Sequence, residues 1–209
     1  NVMLYREDSG IVLTLPNDTV DGVKIENGHI LTGNNPIVLF GDEAVFAGTR
    51  KPRLWLFTWE GEQYLLIGLH LVSQSAKTPD WGALQPPGNP EQTKREQQMQ
   101  LITEYTEQLL SEEEDLNVIL VGDLNDYRWS DTLKYLESSG LLLVNGEKSN
   151  SSEDFSYIHN GNAFRFDYAA VSMNLIDRVD NFSIVHLNTL YENQVSDHDP
   201  AIFEIYRGE

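Results

Sequence analysis

NVILVGDLND, residues 117–126, passes from an apolar run straight into Gly122-Asp123-Leu124-Asn125-Asp126. A short apolar run bounded by turn residues reads as a buried strand. Gly, Asn and Asp are what turns select, so the polar part could be a turn and nothing more. Asp123, however, follows the strand at once, and a carboxylate so near a buried segment needs a partner. Asn125 offers an amide two residues later, on the same side. Carboxylate plus amide can hold a metal-bound water and a phosphoryl oxygen together.

Two other places repeat the pattern of chemistry at a strand end. His70 closes the run LLIGLHL, and Ser196-Asp197-His198-Asp199-Pro200 stands just before AIFEIY. Asp167 lies inside FRFDYAAVS, where an unpaired charge is disfavoured. Its natural partner is a histidine: Asp167 beside His198 would fix the tautomer and raise the basicity of the imidazole. His29, His159 and His186 lie at or near turns or on a strand without neighbouring acids, and no role is assigned to them. Imidazoles, carboxylates and an amide at several strand ends suggest one shared site. Hard oxygen ligands and proton-moving imidazoles together suit a divalent metal and a phosphate ester.

The remaining sequence supplies a frame for such a site. The 209 residues, 40% hydrophobic with 4 Trp, 9 Tyr and 8 Phe, fit one domain with a sizeable core. No apolar run approaches the length of a membrane span. There is no cysteine, which excludes disulfides, thiolate nucleophiles and Cys-ligated zinc. The net charge of -19 opposes the approach of a polyanion, although divalent cations offset part of that at the site itself. Asn17-Asp-Thr19, Asn150-Ser-Ser152 and Asn181-Phe-Ser183 fit the glycan acceptor pattern, which is common by chance.

NVMLYR and GIVLTL read as short strands, and VKIENGHIL as a hairpin turning at Asn27-Gly28. RLWLFTW and QYLLIGLHL flank Glu60-Gly61 as a second hairpin. Both faces of RLWLFTW are apolar, so it belongs in the middle of a layered structure. Gly68 leaves room for something to approach the backbone. Ser73 to Asn89 is a long loop rich in Pro and Gly. Asn89-Pro90-Glu91 then starts a helix, with Met99, Ile102, Tyr105 and Leu109 on one face, which the acidic run from Ser111 ends. Ser130 to Ser139 reads as a second helix stopped by Gly140. A third hairpin turns at Asn160-Gly161, and FSIVHL and AIFEIYR close the chain as strands. Strands with two helices between them predict an α+β or α/β layered domain.

In these residues the chain resembles the endonuclease/exonuclease/phosphatase superfamily, whose pattern runs His-Leu, Gly-Asp-x-Asn, a late Asp, then Ser-Asp-His-x-Pro. Here that order is His70-Leu71, Gly122-Asp123-Leu124-Asn125, Asp167 and Ser196-Asp197-His198-Asp199-Pro200. The helix carrying Arg95 and Gln98 and the GDLNDY turn are most similar to bacterial extracellular-type nucleases. The resemblance implies a single domain over 1–209, a four-layered α/β sandwich of two packed mixed sheets flanked by helices. It implies Mg²⁺ or Mn²⁺ as cofactor, with Ca²⁺ a further candidate. Residue by residue, it makes Asp123 the group that orients or deprotonates water, and has Asn125 position the water and the metal. His198, held by Asp167, becomes general acid/base or stabilises the phosphoryl centre. Arg50 and His70 neutralise the non-bridging oxygens, and Asp197 ligates or steers the ion. The metal set it implies is Asp123, Asn125, Asp197 and His198.

The family's opening strand and the Glu that is its main metal ligand should precede Asn1, and no substitute stands in residues 1–20. The chain therefore reads either as the C-terminal portion of a longer domain or as a protein that lost the ligand and binds without catalysis. The leading expectation is a metal-dependent phosphodiesterase cutting DNA or RNA with little sequence preference. A phospholipase C or sphingomyelinase-like enzyme acting on a lipid head group, or a phosphatase acting on an inositol phosphate, is the alternative. Resemblance and absent cysteine together point to a secreted or periplasmic protein.

Overall fold

The structure is a computed structural model that describes residues 1–26, 28–75, 78–79, 82–146, 149 and 151–208. Asn27 of the first expected turn, Asn150 of one acceptor triplet and four residues of the 73–89 loop lie outside them. Among the described residues the first half contributes strands β1 (Val12–Leu13), β2 (Val23–Glu26), β3 (His29–Thr32), β4 (Ile37–Val38), β5 (Arg53–Trp59) and β6 (Glu62–His70). Helix α1 (Pro90–Glu112) leads to β7 (Asn117–Asp123), and α2 (Asp131–Ser138) to β8 (Leu141–Leu143). There follow β9 (Tyr157–His159), β10 (Asn162–Phe164), β11 (Asp167–Ser172), the single turn α3 (Met173–Ile176), β12 (Val179–Ile184) and β13 (Ala201–Ile205).

One large mixed sheet runs β1-β5-β6-β7-β11-β8, with β4 also paired to β5. β5 and β6 form a hairpin in which Glu60 and Gly61 both take positive φ, 52° and 86°, the geometry a two-residue turn requires. β6 and β7 are parallel, which demands a crossover, and α1 supplies it. α1 and α2 cover one face, where Leu54, Leu56, Leu65, Ile67, Val118 and Leu120 meet Met99, Ile102, Leu133 and Leu136. On the other face Phe57, Tyr64, Ile119 and Val171 pack with Phe182 of β12 and Phe203 of β13. The α/β sandwich expected from sequence is thus present as a helical layer, the large sheet and the β12–β13 pair. As expected, β5 is buried on both sides, Leu54 to Phe57 without a break.

Three local readings change. NVMLYR forms no strand: residues 1–10, all described, contain none, with Val2 82% and Leu4 91% exposed. GIVLTL shrinks to Val12–Leu13, because only Thr58 and Phe57 of β5 pair with it. The room left by Gly68 is taken by the Trp55 indole, which would come within 2.8 Å of an added Cβ. Gly122 is more constrained. At φ +153°, a Cβ there would sit 2.2 Å from the Leu69 carbonyl oxygen, inside the β6–β7 ladder. The β2–β3 pairing of Glu26 with His29 matches the expected first hairpin, and the third has Asn160 and Gly161 at φ 50° and 77°.

Gly122→Ala is therefore expected to lower the unfolding free energy by about 3 kcal/mol or more, read as a shifted urea midpoint. A second outcome concerns alkaline pH. Burial, and then the Glu62 carboxylate, push the Tyr64 hydroxyl up to about 12, and burial does the same for Tyr105. The neutral phenols contribute stability that is complete below pH 10 and is lost as pH rises through 12. Urea midpoints should fall across that window, and Tyr64→Phe should flatten the fall.

Candidate active site

Strand register assembles the site. His70 ends β6 directly opposite Asp123, which ends β7, and Asp167 begins β11 opposite the same Asp123. Paired residues of adjacent strands project to the same face, so three residues far apart in sequence stand abreast. His198 joins them through an isolated bridge with Tyr157, whose ring centroid is 4.8 Å from the imidazole. His198 Nδ1 lies 2.6 Å from Asp167 Oδ2, and Ser156 Oγ donates to the same oxygen at 2.7 Å. The pairing of Asp167 with His198 anticipated from sequence is present. The Nε2 atoms of His198 and His70 approach Asp123 Oδ2 to 3.9 and 3.7 Å.

Asp123 is held by Asn125, whose backbone N–H donates to Oδ1 at 2.8 Å and whose side-chain amide donates to Oδ2 at 3.1 Å. The same amide reaches the Leu71 carbonyl at 3.1 Å, tying the ends of β6 and β7 together. Asn125 stands at φ 51°, a left-handed conformation that Asn tolerates better than most residues. Arg50 is exposed, with Nη1 3.0 Å from His70 Nδ1 and in contact with Nε2. Asp197 is exposed and is not among the three residues whose ligand atoms converge, and its charge acts on His198.

Electrostatics sets Asp123, His70 and His198 apart from one another. Burial, then the Asp167 charge, push the Asp123 carboxyl up to about 7. Burial, then the Arg50 guanidinium, push the His70 imidazole down to about 4, so its approach to Asp123 is not an ion pair at neutral pH. The hydrogen bond to Asp167 raises His198 above its ordinary value, against the effect of burial. The site therefore has a proton acceptor and a proton donor near neutrality within 4 Å. Ligand atoms of Asp123, Asp167 and His198 all lie within 4.8 Å of one another. Burial first, and then repulsion between the two converging carboxylates, disfavours the charged form of Asp123, and a divalent cation is a partner that relieves this. The donor set fits such an ion.

Behind the site lies a polar network that sequence reading did not assign. Arg95 is fully buried in α1, bonded to Asp126 Oδ2 at 3.3 Å, to the Val72 and Ser73 carbonyls at 3.2 Å and to Gln92 Oε1 at 2.7 Å. Thr132 and Gln92 also donate to Asp126 Oδ2. Gln98 accepts from the Val72 N–H and donates to Val45 and Thr49, so it links the segment after His70 to the one before Arg50. The available signal was polar residues at 95 and 98 on the stripe that continues as Met99 and Ile102. His186 is a correction: an acid does neighbour it, since Asp199 Oδ2 lies 2.8 Å from its Nδ1. Asp199 also accepts from the Asn188 and Thr189 N–H groups and from the Thr189 hydroxyl. Although burial works the other way, these bonds hold its pKa at about 2 and pin the β12–β13 connection beside His198.

No family model and no curated protein matches the sequence. In three dimensions the chain is similar to truncated TDP2 of Caenorhabditis elegans, with 16% identity, TM-score 0.57, and coverage of 83% of this chain and 67% of that one. It is similar also to a 3'-5' exonuclease of Neisseria meningitidis, with 16% identity and TM-score 0.56 over 84% and 73% of the two chains. A mannosyl-6-phosphatase of Bacteroides thetaiotaomicron matches with 19% identity and TM-score 0.51 over 76% of this chain. The chain spans 57% of that phosphatase, less than two thirds of its length. The chain thus shares its fold with these three proteins.

Arg95→Met keeps the volume but strands the buried Asp126 charge, and is expected to cost about 3–5 kcal/mol in chemical denaturation. Adding Asp126→Asn should recover part of that loss, because the unpaired charge is gone.

Proposed function

We propose that this chain hydrolyses phosphoric esters, and that its substrates are the phosphodiesters of nucleic acid. The observation that carries the reading is the row His70–Asp123–Asp167 with His198 bonded to Asp167 and facing Asp123. Asp123, its oxygens fixed by Asn125, orients the attacking water and accepts its proton. His198, kept protonated by Asp167, donates to the phosphoryl or leaving oxygen. Arg50 places a guanidinium at the open edge for the non-bridging oxygens, and neutral His70 offers a hydrogen bond rather than a charge. A divalent cation, held at Asp123 and Asp167 beside His198, would supply further neutralisation of those oxygens. Mg²⁺ and Mn²⁺ suit these carboxylate ligands, and Ca²⁺ suits them with weaker geometric demands.

The charge of -19 supports a second reading, in which the phosphate belongs to a phospholipid or inositol head group rather than a polyanion. Plasmid DNA, RNA, sphingomyelin and inositol phosphates, each assayed with Mg²⁺, separate the two. Turnover of a lipid with neither nucleic acid cut would overturn the nuclease reading. A third possibility, a binding module without catalysis, predicts no calorimetric signal for Mg²⁺ or Mn²⁺ at millimolar concentration and no turnover of any ester.

His198→Ala is expected to lower kcat by about 10²–10⁴-fold with little change in thermal midpoint. Asp123→Ala should act similarly, and chelation of divalent ions should remove turnover reversibly. Retention of wild-type kcat in His198→Ala would exclude the assigned role.

A further inference from the structure

Aromatic rings form a continuous series from His198 to the protein surface. Tyr157 lies against His198 and, at 5.7 Å, against Phe166. Phe166 meets Phe164 at 5.4 Å, and Tyr127 contacts both at 5.7 Å. Tyr127 in turn stacks on Trp129, with centroids 5.2 Å apart and planes 4° from parallel. Trp129 is 74% exposed although one of its faces is covered by Tyr127. Such an indole is backed by a fixed ring and open on its other side.

Its position ties it to the chemistry. Trp129 is four residues beyond Asn125, a separation of at most about 14 Å along an extended chain. A turn closed by the Ser130 N–H on the Tyr127 carbonyl, at 2.9 Å, shortens it. Among the described residues, the two cations closest to Trp129 in sequence are paired: Arg128 with Glu137 at 2.7 Å and Lys134 with Asp131 at 2.6 Å. With a net charge of -19 as well, this rim offers a phosphate backbone little electrostatic attraction. What it offers is a flat apolar face. Stacking of an unpaired base on such a ring needs no cation and tolerates any base.

We propose that Trp129, backed by Tyr127, is a stacking subsite for an unpaired nucleobase adjoining the phosphodiester that is cut. The inference rests on the nucleic-acid reading above and narrows it to single-stranded or frayed substrate. Bases inside a duplex are already stacked and present only their edges. Affinity here comes from rings rather than from counterion release, so salt should weaken binding far less than is usual for nucleic-acid proteins.

The test compares two fluorescently labelled pentamers of equal charge, one of deoxyadenylate and one of base-free deoxyribose phosphate. Binding is measured by anisotropy in chelator, where no cleavage occurs, so it does not depend on the catalytic reading. The wild-type protein should bind the base-bearing pentamer about tenfold more tightly, as one stacked base implies. Trp129→Ala should reduce that ratio to about one, and Trp129→Phe should keep part of it. Raising salt from 50 to 200 mM should cost less than about tenfold, against the 10³–10⁵-fold typical of multiple phosphate contacts. Equal binding of the two pentamers by wild type would overturn the subsite. So would a Trp129→Ala variant that keeps the preference, or one that loses only binding to phosphatidylcholine vesicles. If the preference holds while no pentamer is cut with Mg²⁺ or Mn²⁺, the subsite stands as a binding site and the nucleic-acid cleavage reading fails.

Discussion

The hydrogen-bond ladder joining β6, β7 and β11 governs everything at the site. It aligns His70 with Asp123 and Asp123 with Asp167. A slip of one residue in either pairing would turn a whole strand over and send its polar end to the opposite face. The register is protected on both sides. Leu65, Ile67, Val118 and Leu120 are buried under the helices, and Tyr64, Ile119 and Val171 under the β12–β13 pair. Two apolar faces make slippage costly, and the same burial drives the Asp123 carboxyl up to about 7. Packing and chemistry thus share a cause.

Fixing strand ends is not enough, because Arg50, Asn125 and His198 sit on connecting segments. α1 provides the second constraint. Arg95 holds Asp126 and the carbonyls of Val72 and Ser73, while Gln98 bridges Val72 to Thr49. One helix end thereby positions the segments carrying Arg50, His70 and Asn125. A buried guanidinium is costly to desolvate, and its many partners here offset that cost. On the opposite flank Asp199 does similar work for the connection that presents His198. The result is a hydrogen-bonded frame around the Asp123–His198 pair.

What surrounds that pair differs in character from the pair itself. The fold is shared with a nuclease and a sugar phosphatase, so it does not select a substrate. Among the described residues, Arg128 and Lys134 are ion-paired, Trp129 is an exposed indole stacked on Tyr127, and Arg50 lies exposed beside His70.

The three hairpin turns, the two main helices and the buried central strand were legible because each is written locally, in turn residues, caps and apolar periodicity. The order of the polar motifs also named most of the residues that meet. The failures were those of context. NVMLYR has the composition of a strand, but a strand exists only where another ladder accepts it. His186 looked solitary because Asp199 is thirteen residues away, across β12–β13. Asp126 belonged to an acidic turn and Arg95 to a helix, and only burial shows that the two are paired. The sequence by itself determined which groups stand at strand ends and which chemistry they can perform. Only the tertiary structure decided their neighbours, and with them which group is neutral, which is raised and which is free to meet a substrate, because pKa and pairing depend on distance and burial that no linear spacing encodes.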